Sequence, residues 1–313
     1  MKKERMFLFV LGGFMTSEMH QIIITRYPST NSQKLADELK LSIYQLRRYV
    51  KKHKIAKTEA YLKSVISKMH YEKERAYQRN RVILKPNEIQ DNIIIGSLLG
   101  DGSLARYGRS KESHYRERGC IAQNDYRKWK ATMLSTLHFK YHEDLNAAGM
   151  KSISNALFST YHHLFYENGR KRVTPEILER LTHPLGLLCL YLDDGTLVID
   201  RYIRNNTIHL FPRITIYSQS FTEQENLLLR DHIYNQFNIS FILKKRNDGH
   251  GVVLQCNYRD DIIRFLDLLK PYTSNRLLQC MCYKLDLNHA MMLRREEYKR
   301  KFPNCEIIID RIV

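Results

Sequence analysis

The chain of 313 residues carries 51 Lys and Arg against 33 Asp and Glu, a formal charge of +18 and a pI near 9.6. With 20 Tyr, 12 Phe and an ordinary apolar share it excludes a globally disordered protein, and its length allows one large core plus a small satellite domain. Its six cysteines form no CxxC pair and no apolar run reaches the length of a membrane span, so a zinc knuckle and a membrane protein are excluded, while the charge marks a binder of polyanions.

The opening run MKKERMFLFVLGGF has the look of a secretory leader, but its apolar stretch is short and no small-residue cleavage site follows before Thr16. The chain therefore reads as soluble, unprocessed and cytoplasmic, in a bacterial or phage-infected cell or else in an organelle. Residues 1–58 read as a small all-α domain. A first helix is capped by Thr16 or Ser17 and stops before Pro28; a second starts at Asn31 or Ser32; a third buries Ile43, Leu46 and Val50. The third shows Gln45, Arg47, Arg48, Lys51 and Lys52 outward, the pattern of a helix-turn-helix module whose second helix enters a DNA groove. Residues 59–85 read as a basic helical linker, and the span from Lys40 to Lys85 holds 14 basic residues against 3 acidic ones.

Residues 86–313 contain an internal repeat, with copies over about 87–181 and 182–300. The first opens NEIQDNIIIGSLLGDGSL, residues 87–104: Asn87 caps a helix that is apolar nearly all round, and Gly96, Ser97 and Gly100 let another backbone approach. The second opens HPLGLLCLYLDDGTLVID, residues 183–200, with Pro184 at the first helical position. Gly102 and Gly195 are expected to end the two helices as residues just past the last turn. Asp101 then falls on Asp194, and packing along a pseudo-twofold axis brings both to one end. Each stands at the negative end of a helix dipole beside a like charge, an arrangement that calls for a cation. Oxygen ligands suit Mg²⁺ or Mn²⁺, with the backbone carbonyls of Gly100 and Asp193 as further ligands. A single Asp-Gly is turn punctuation, as Asp248-Gly249 between two strand-like runs shows.

IIGSLLGDG (94–102) and LLCLYLDDG (187–195) resemble the paired signature helices of LAGLIDADG homing endonucleases in their single-chain form. TIYSQSFTEQE (215–225) and KPYTSNRLLQCMCYKL (270–285) are similar to later segments of that family, so the likeness spans about 86–290. Cys189 stands in place of the usual small glycine and Leu99 in place of a common acidic residue. The run YPSTNSQKLADELKLSIYQLRRYVKKHKIAKT resembles the small helix-turn-helix modules attached to such enzymes.

The resemblance implies an α+β fold of two αββαββα units, each laying an antiparallel sheet over the DNA major groove. Strands are expected near 103–108, 116–123 and 152–166, then near 196–203, 207–218, 239–246 and 251–257. Groove contacts would come from Arg106, Arg109, Lys111, Arg116 and Arg118, then from Arg201, Arg204, Arg213 and Arg246. The implied reaction is hydrolysis of one phosphodiester in each strand of a double-stranded target, with Asp101 and Asp194 as metal ligands rather than acid and base. A lysine and a glutamine organise water in the family: Lys244 or Lys245, of which strand alternation lets only one point inward, and Gln123 or Gln219. Both repeats lie in one chain, so a monomer is expected. Two alternatives share the scaffold: a splicing maturase that binds intron RNA, and a non-catalytic DNA-binding regulator, whose mark would be the loss of one aspartate.

Overall fold

The structure is a computed structural model that describes residues 8–10, 13–80, 82–108, 110–144 and 147–309, with backbone alone at 8–10, 13–15 and 78–80. It divides into two compact units, Met1–Arg81 and Val82–Val313.

In the first unit Leu8–Val10 (β1) pairs antiparallel with Gly13–Met15 (β2). Ser17–Arg26 (α1) starts where the Thr16 hydroxyl accepts the Met19 N–H, and it ends at the 3-10 turn containing Pro28. Ser32–Glu38 (α2) is capped by Asn31, and Ile43–Lys52 (α3) by a Ser42–Gln45 capping box. Between them Lys40 takes a left-handed conformation, φ 52°, which makes the tight turn. The three helices close on Ile23, Leu35, Ala36, Leu46, Tyr49 and Val50. Glu59–Asn80 (α4) follows, with Leu62, Val65, Ile66 and Met69 exposed along it.

The second unit runs through αββαββα twice. The first repeat is Glu88–Leu99 (α5), Ser103–Arg106 (β3), Ser113–Cys120 (β4), Asn124–Met133 (α6), Lys140–Glu143 (β5), Ala147–Lys151 (β6) and Ala156–Phe165 (α7). A small hairpin, Tyr166–Glu167 (β7) with Arg170–Lys171 (β8), and Pro175–Leu178 (α8) lead to the second repeat. That repeat is Pro184–Asp194 (α9), Gly195–Arg204 (β9), Thr207–Ile216 (β10), Glu223–Phe237 (α10), Ile242–Lys245 (β11), Val252–Cys256 (β12) and Arg259–Leu269 (α11). A 3-10 stretch Arg276–Lys284, Leu287–Lys301 (α12) and Glu306–Ile309 (β13) complete it. The sheets are antiparallel in order β3-β4-β6-β5 and β9-β10-β12-β11, and β13 adds a parallel strand beside β10 at residues 207–210.

One expected strand is overturned. Residues 156–165, inside the span 152–166 read as strand, form α7. Their β-favouring aromatic residues sit at helical spacing, with Leu157, Phe158, Tyr161 and Phe165 buried together, and the Asn155 side chain caps the first turn. The strands that complete this sheet are β5 and β6, which lie earlier.

The two repeats share one hydrophobic core, and α5 and α9 lie at its middle. Ile93, Ile94, Ile95 and Leu98 on one helix and Leu187, Leu188, Leu190 and Leu192 on the other are at most 1% exposed, each contributing about 1.5–3 kcal/mol of burial. A Cβ on Gly96 would lie 2.0 Å from the Gly186 carbonyl oxygen, so the backbones cross in contact. Buried Asn92 fixes the start of α9 by accepting the His183 N–H at 2.8 Å.

Candidate active site

The crossing carries the C-terminal ends of α5 and α9 to one place. Gly102 and Gly195, expected to end the helices by their special conformation, serve by their lack of a side chain. Gly195 is extended, with φ −99° and ψ 163°, and a Cβ there would strike the Tyr191 ring at 2.0 Å. A Cβ on Gly102 would meet the Tyr115 hydroxyl at 2.3 Å. Likewise Gly100 leaves the space that Asp193 fills, a Cβ there lying 2.6 Å from that of Asp193.

Two lysines satisfy carbonyls at the helix ends. Lys171 of β8 donates to the Gly100 carbonyl at 2.8 Å, and Lys284, from the 3-10 stretch, donates to the Leu192 carbonyl at 2.6 Å. Each cation thus stands at the negative end of a helix and caps an orphan acceptor. Burial lowers both ammonium pKa values, with Asp101, Asp193 and Asp194 opposing.

The aspartates differ in their surroundings. Asp101 keeps about a third of its side chain exposed and accepts from Arg127 Nη2 at 3.3 Å. Arg127 is itself buried. It donates to Gln123 Oε1 at 3.2 Å, lies 3.3 Å from Glu117 Oε1, and passes through the notch left by Gly119, where a Cβ would be 1.9 Å from Nη2. Asp194 is partly buried. Burial first, then the charge of Asp101, push its carboxyl up to about 6 against the pull of Lys171, Lys284 and Lys130. Asp193 points into the first repeat, where Lys130 Nζ reaches its two oxygens at 3.0 and 3.2 Å.

Oxygens of Asp101, Glu117 and Asp193 come within 4.8 Å of one another. The side chains of Glu117 and Asp193 are fully buried and already share the Lys130 ammonium, so this trio is a poor seat for an exchangeable ion. Asp101 and Asp194 fit a divalent cation better. Asp101 is exposed and Asp194 partly so, and the Asp194 carboxyl is raised by burial first and by the charge of Asp101 second, both of which a bound cation would offset.

The sheet faces carry the remaining charge. In the first repeat, register sets Arg116 opposite Lys151 and Lys151 opposite Lys140, a row of cations across three strands. Like charges placed directly opposite destabilise a sheet. On the same face of β4, Arg118 pairs with Asp144 at 2.7 Å. In the second repeat, Asp200, Phe211, Arg213, Lys244 and Gln255 line a shallow groove, and Tyr202 stacks on His209. Arg213 is held by Asp200 at 2.5 Å, and Arg246 by Asp248.

The sequence expectations meet this arrangement unevenly. Gln123 reaches Asp101 through Arg127, whereas Gln219 is exposed in the turn after β10. Lys244 and Lys245, at the end of β11, both line the groove; the lysines that the fold brings to the helix ends are Lys171 and Lys284 instead. The Gly100 carbonyl, expected as a metal ligand, accepts from Lys171. Asp193, expected to offer its backbone carbonyl, turns its side-chain carboxylate inward to Lys130. Arg201 leaves the groove face to lie over Tyr298 and Phe302 of α12. Arg106 is on the helix side, its charge acting on His162 of α7. Arg204 shares the groove face with Arg213, Arg116 and Arg118 share theirs, Lys111 is exposed before β4, and Arg109 lies outside the described residues. Arg47, Arg48, Lys51 and Lys52 are exposed on α3, while the Gln45 amide is engaged in the capping box, its Oε1 accepting the Ser42 N–H. Sequence reasoning missed Glu117, Arg127, Lys130, Lys171 and Lys284. Lys284 lay within a family-like segment; Arg127 and Lys130 were visible only as the polar side of a helix.

Comparison with known proteins bears on this geometry. The profile of the LAGLIDADG DNA endonuclease family matches residues 91–260. Among solved structures, the homing endonuclease I-WcaI bound to its DNA recognition sequence shares 18% identity at a TM-score of 0.52, over 68% of this chain and 92% of that one. The LAGLIDADG homing endonuclease I-GzeII in complex with DNA target gives 8% identity and a TM-score of 0.41, over 66% of this chain and 92% of that one. No curated protein matches.

Proposed function

The chain belongs to the LAGLIDADG DNA endonuclease family, and from that premise we propose that it is a site-specific endonuclease that hydrolyses both strands of a duplex target. The reading is supported by the charge of Asp101 acting on Asp194 at the ends of two helices that cross at Gly96 and Gly186, with a lysine on each helix end. I-WcaI, of similar fold, is bound to its DNA recognition sequence.

Asp101 and Asp194 would hold a divalent cation, Mg²⁺ or Mn²⁺, which supplies Lewis-acid stabilisation of charge on the phosphate oxygens. The protein does the rest. Arg127 and Gln123 fix the Asp101 carboxylate. Lys171 and Lys284 bring positive charge to a place where phosphate oxygens gain negative charge, and their lowered pKa values suit them to exchange a proton with ordered water. The cationic row Arg116, Lys151 and Lys140 gains a partner when a phosphate backbone lies on it. On the same reading residues 1–58 are a helix-turn-helix domain whose α3 adds contacts to the DNA, 59–85 is a basic linker, 86–313 is the cutting core, and the enzyme acts as a monomer in the cytoplasm.

The test is incubation with Mg²⁺ and a library of duplex DNA. Cutting at one sequence is expected, with Asp101→Asn and Asp194→Asn each slower by at least about a hundredfold while still binding DNA. Cutting that persists unchanged in either variant would overturn the mechanism. Specific binding to a structured RNA without any cutting would move the assignment to a maturase.

A further inference from the structure

A fully buried ammonium stands where the ends of the two repeats meet. Lys130 Nζ lies 2.6 Å from Glu117 Oε2, 3.0 and 3.2 Å from the oxygens of Asp193, and 3.4 Å from Ser97 Oγ. Three N–H donors therefore meet three acceptor residues, and nothing on the ammonium faces water. Glu117 and Ser97 come from the first repeat, Asp193 from the second. The other Glu117 oxygen, Oε1, is buried without a hydrogen bond. The cluster has room because Gly100 lacks a Cβ.

Among the described residues the second repeat has no such cluster. Its helix α10 carries Asn226 and Leu229 where α6 carries Arg127 and Lys130, both buried, and the Asn226 amide is spent on the Ser218, Phe221 and Thr222 carbonyls. The charge is thus not a requirement of the fold. It appears once, on the side where a carboxylate from α9 crosses over.

We propose that Lys130 is a resident cation: its ammonium fills a cation site built jointly by Glu117, Ser97 and Asp193, and so clamps the last turn of α9, next to Asp194, onto the first repeat. The occupant of the site is covalent, so the paired helix ends assemble without any metal. Remove it, and the oxygens left behind make a vacant site for a hard divalent ion such as Ca²⁺.

The experiment is thermal unfolding of the full chain in EDTA and in millimolar Ca²⁺, with calorimetric Ca²⁺ titration, for the wild type, Lys130→Met and the neutral triple variant Lys130→Met/Glu117→Gln/Asp193→Asn. The wild type should melt at nearly the same temperature in both conditions. Lys130→Met should melt lower in EDTA, because it leaves the buried Asp193 carboxylate without its cation and Glu117 with only Arg127 and the Tyr115 hydroxyl, and regain about 5 °C or more in Ca²⁺ beyond any wild-type response. It should bind one more Ca²⁺ than the wild type. The triple variant should fold and lose the added response. A Lys130→Met protein that responds to Ca²⁺ no more than the wild type, that is unfolded in both conditions, or whose response survives in the triple variant overturns the proposal. Neither arm needs DNA, so the result stands apart from the activity proposed above.

Discussion

Asp101 and Asp194 occupy matching places in two repeats but differ in charge environment, because Arg127 reaches only the first. Asp194 is left with burial and a neighbouring carboxylate, which raise its carboxyl to about 6 from an ordinary 3.8. A carboxyl whose folded value lies above its unfolded one binds its proton more tightly when folded, so its contribution to stability is complete below about pH 4 and is lost as pH rises through 6. In metal-free protein the difference in unfolding free energy between wild type and Asp194→Asn should therefore fall by roughly 2 kcal/mol from pH 4 to pH 7. Urea titrations in EDTA across that range measure it, and parallel curves for the two proteins would show that Asp194 ionises freely. The paired aspartates could be read from sequence because each follows a helix whose apolar residues run all round. The cations around them could not. Lys171 sits in a two-residue strand and Lys284 near the end of a 3-10 stretch, and their distance along the chain from the aspartates is closed only by the fold. Glu117, Arg127 and Lys130 were hidden for another reason: charged residues at alternate strand positions or on one helix side ordinarily face water, and their burial depends on partners from other elements.

At the scale of elements, what the sequence revealed most plainly is the helix pair and what it concealed is the sheet of the first repeat. Small residues at Gly96 and Gly100 announce a close crossing, and their partners differ: Gly96 meets Gly186, a turn before Cys189, and Gly100 makes room for Asp193. α7 was mistaken for a strand because aromatic residues favour strands locally, while burial of Leu157, Phe158, Tyr161 and Phe165 on the common core rewards the helix. The short strands β5 and β6 are hard to read from sequence, since KYHE and AAGMK have little alternation of their own; β6 takes its register from β4 and β5 from β6. The crossing itself gives the sharpest expectation. Alanine at Gly96 would put a methyl group 2.0 Å from a backbone oxygen, which no rotamer change relieves. Gly96→Ala should cost about 3 kcal/mol, seen as a lower denaturant midpoint, and should slow cleavage further by parting the two aspartates. A midpoint within error of the wild type would mean that the helices have slack to give.

Over the whole molecule, charge is spread between two folded units with different tasks on the proposed reading. The core holds the cationic row of Arg116, Lys151 and Lys140 beside its reacting groups, and the amino-terminal unit exposes Arg47, Arg48, Lys51 and Lys52 on a single short helix. If both lie on phosphates, binding is driven largely by the release of counterions, and affinity should fall by about 10³–10⁵ between 50 and 200 mM salt for 6–10 phosphate contacts. The two contributions can be separated, because the α3 side chains belong to the amino-terminal unit and Asp101 and Asp194 to the core. Replacing Arg47, Arg48, Lys51 and Lys52 together by alanine should weaken binding and make the slope of log affinity against log salt shallower by roughly 0.9 for each phosphate no longer neutralised. The cleavage rate at saturating enzyme should stay at the wild-type value, since the chemistry belongs to the core. An unchanged salt slope would remove α3 from the DNA, and a slope unchanged together with normal cutting would leave the amino-terminal unit some task other than holding the target.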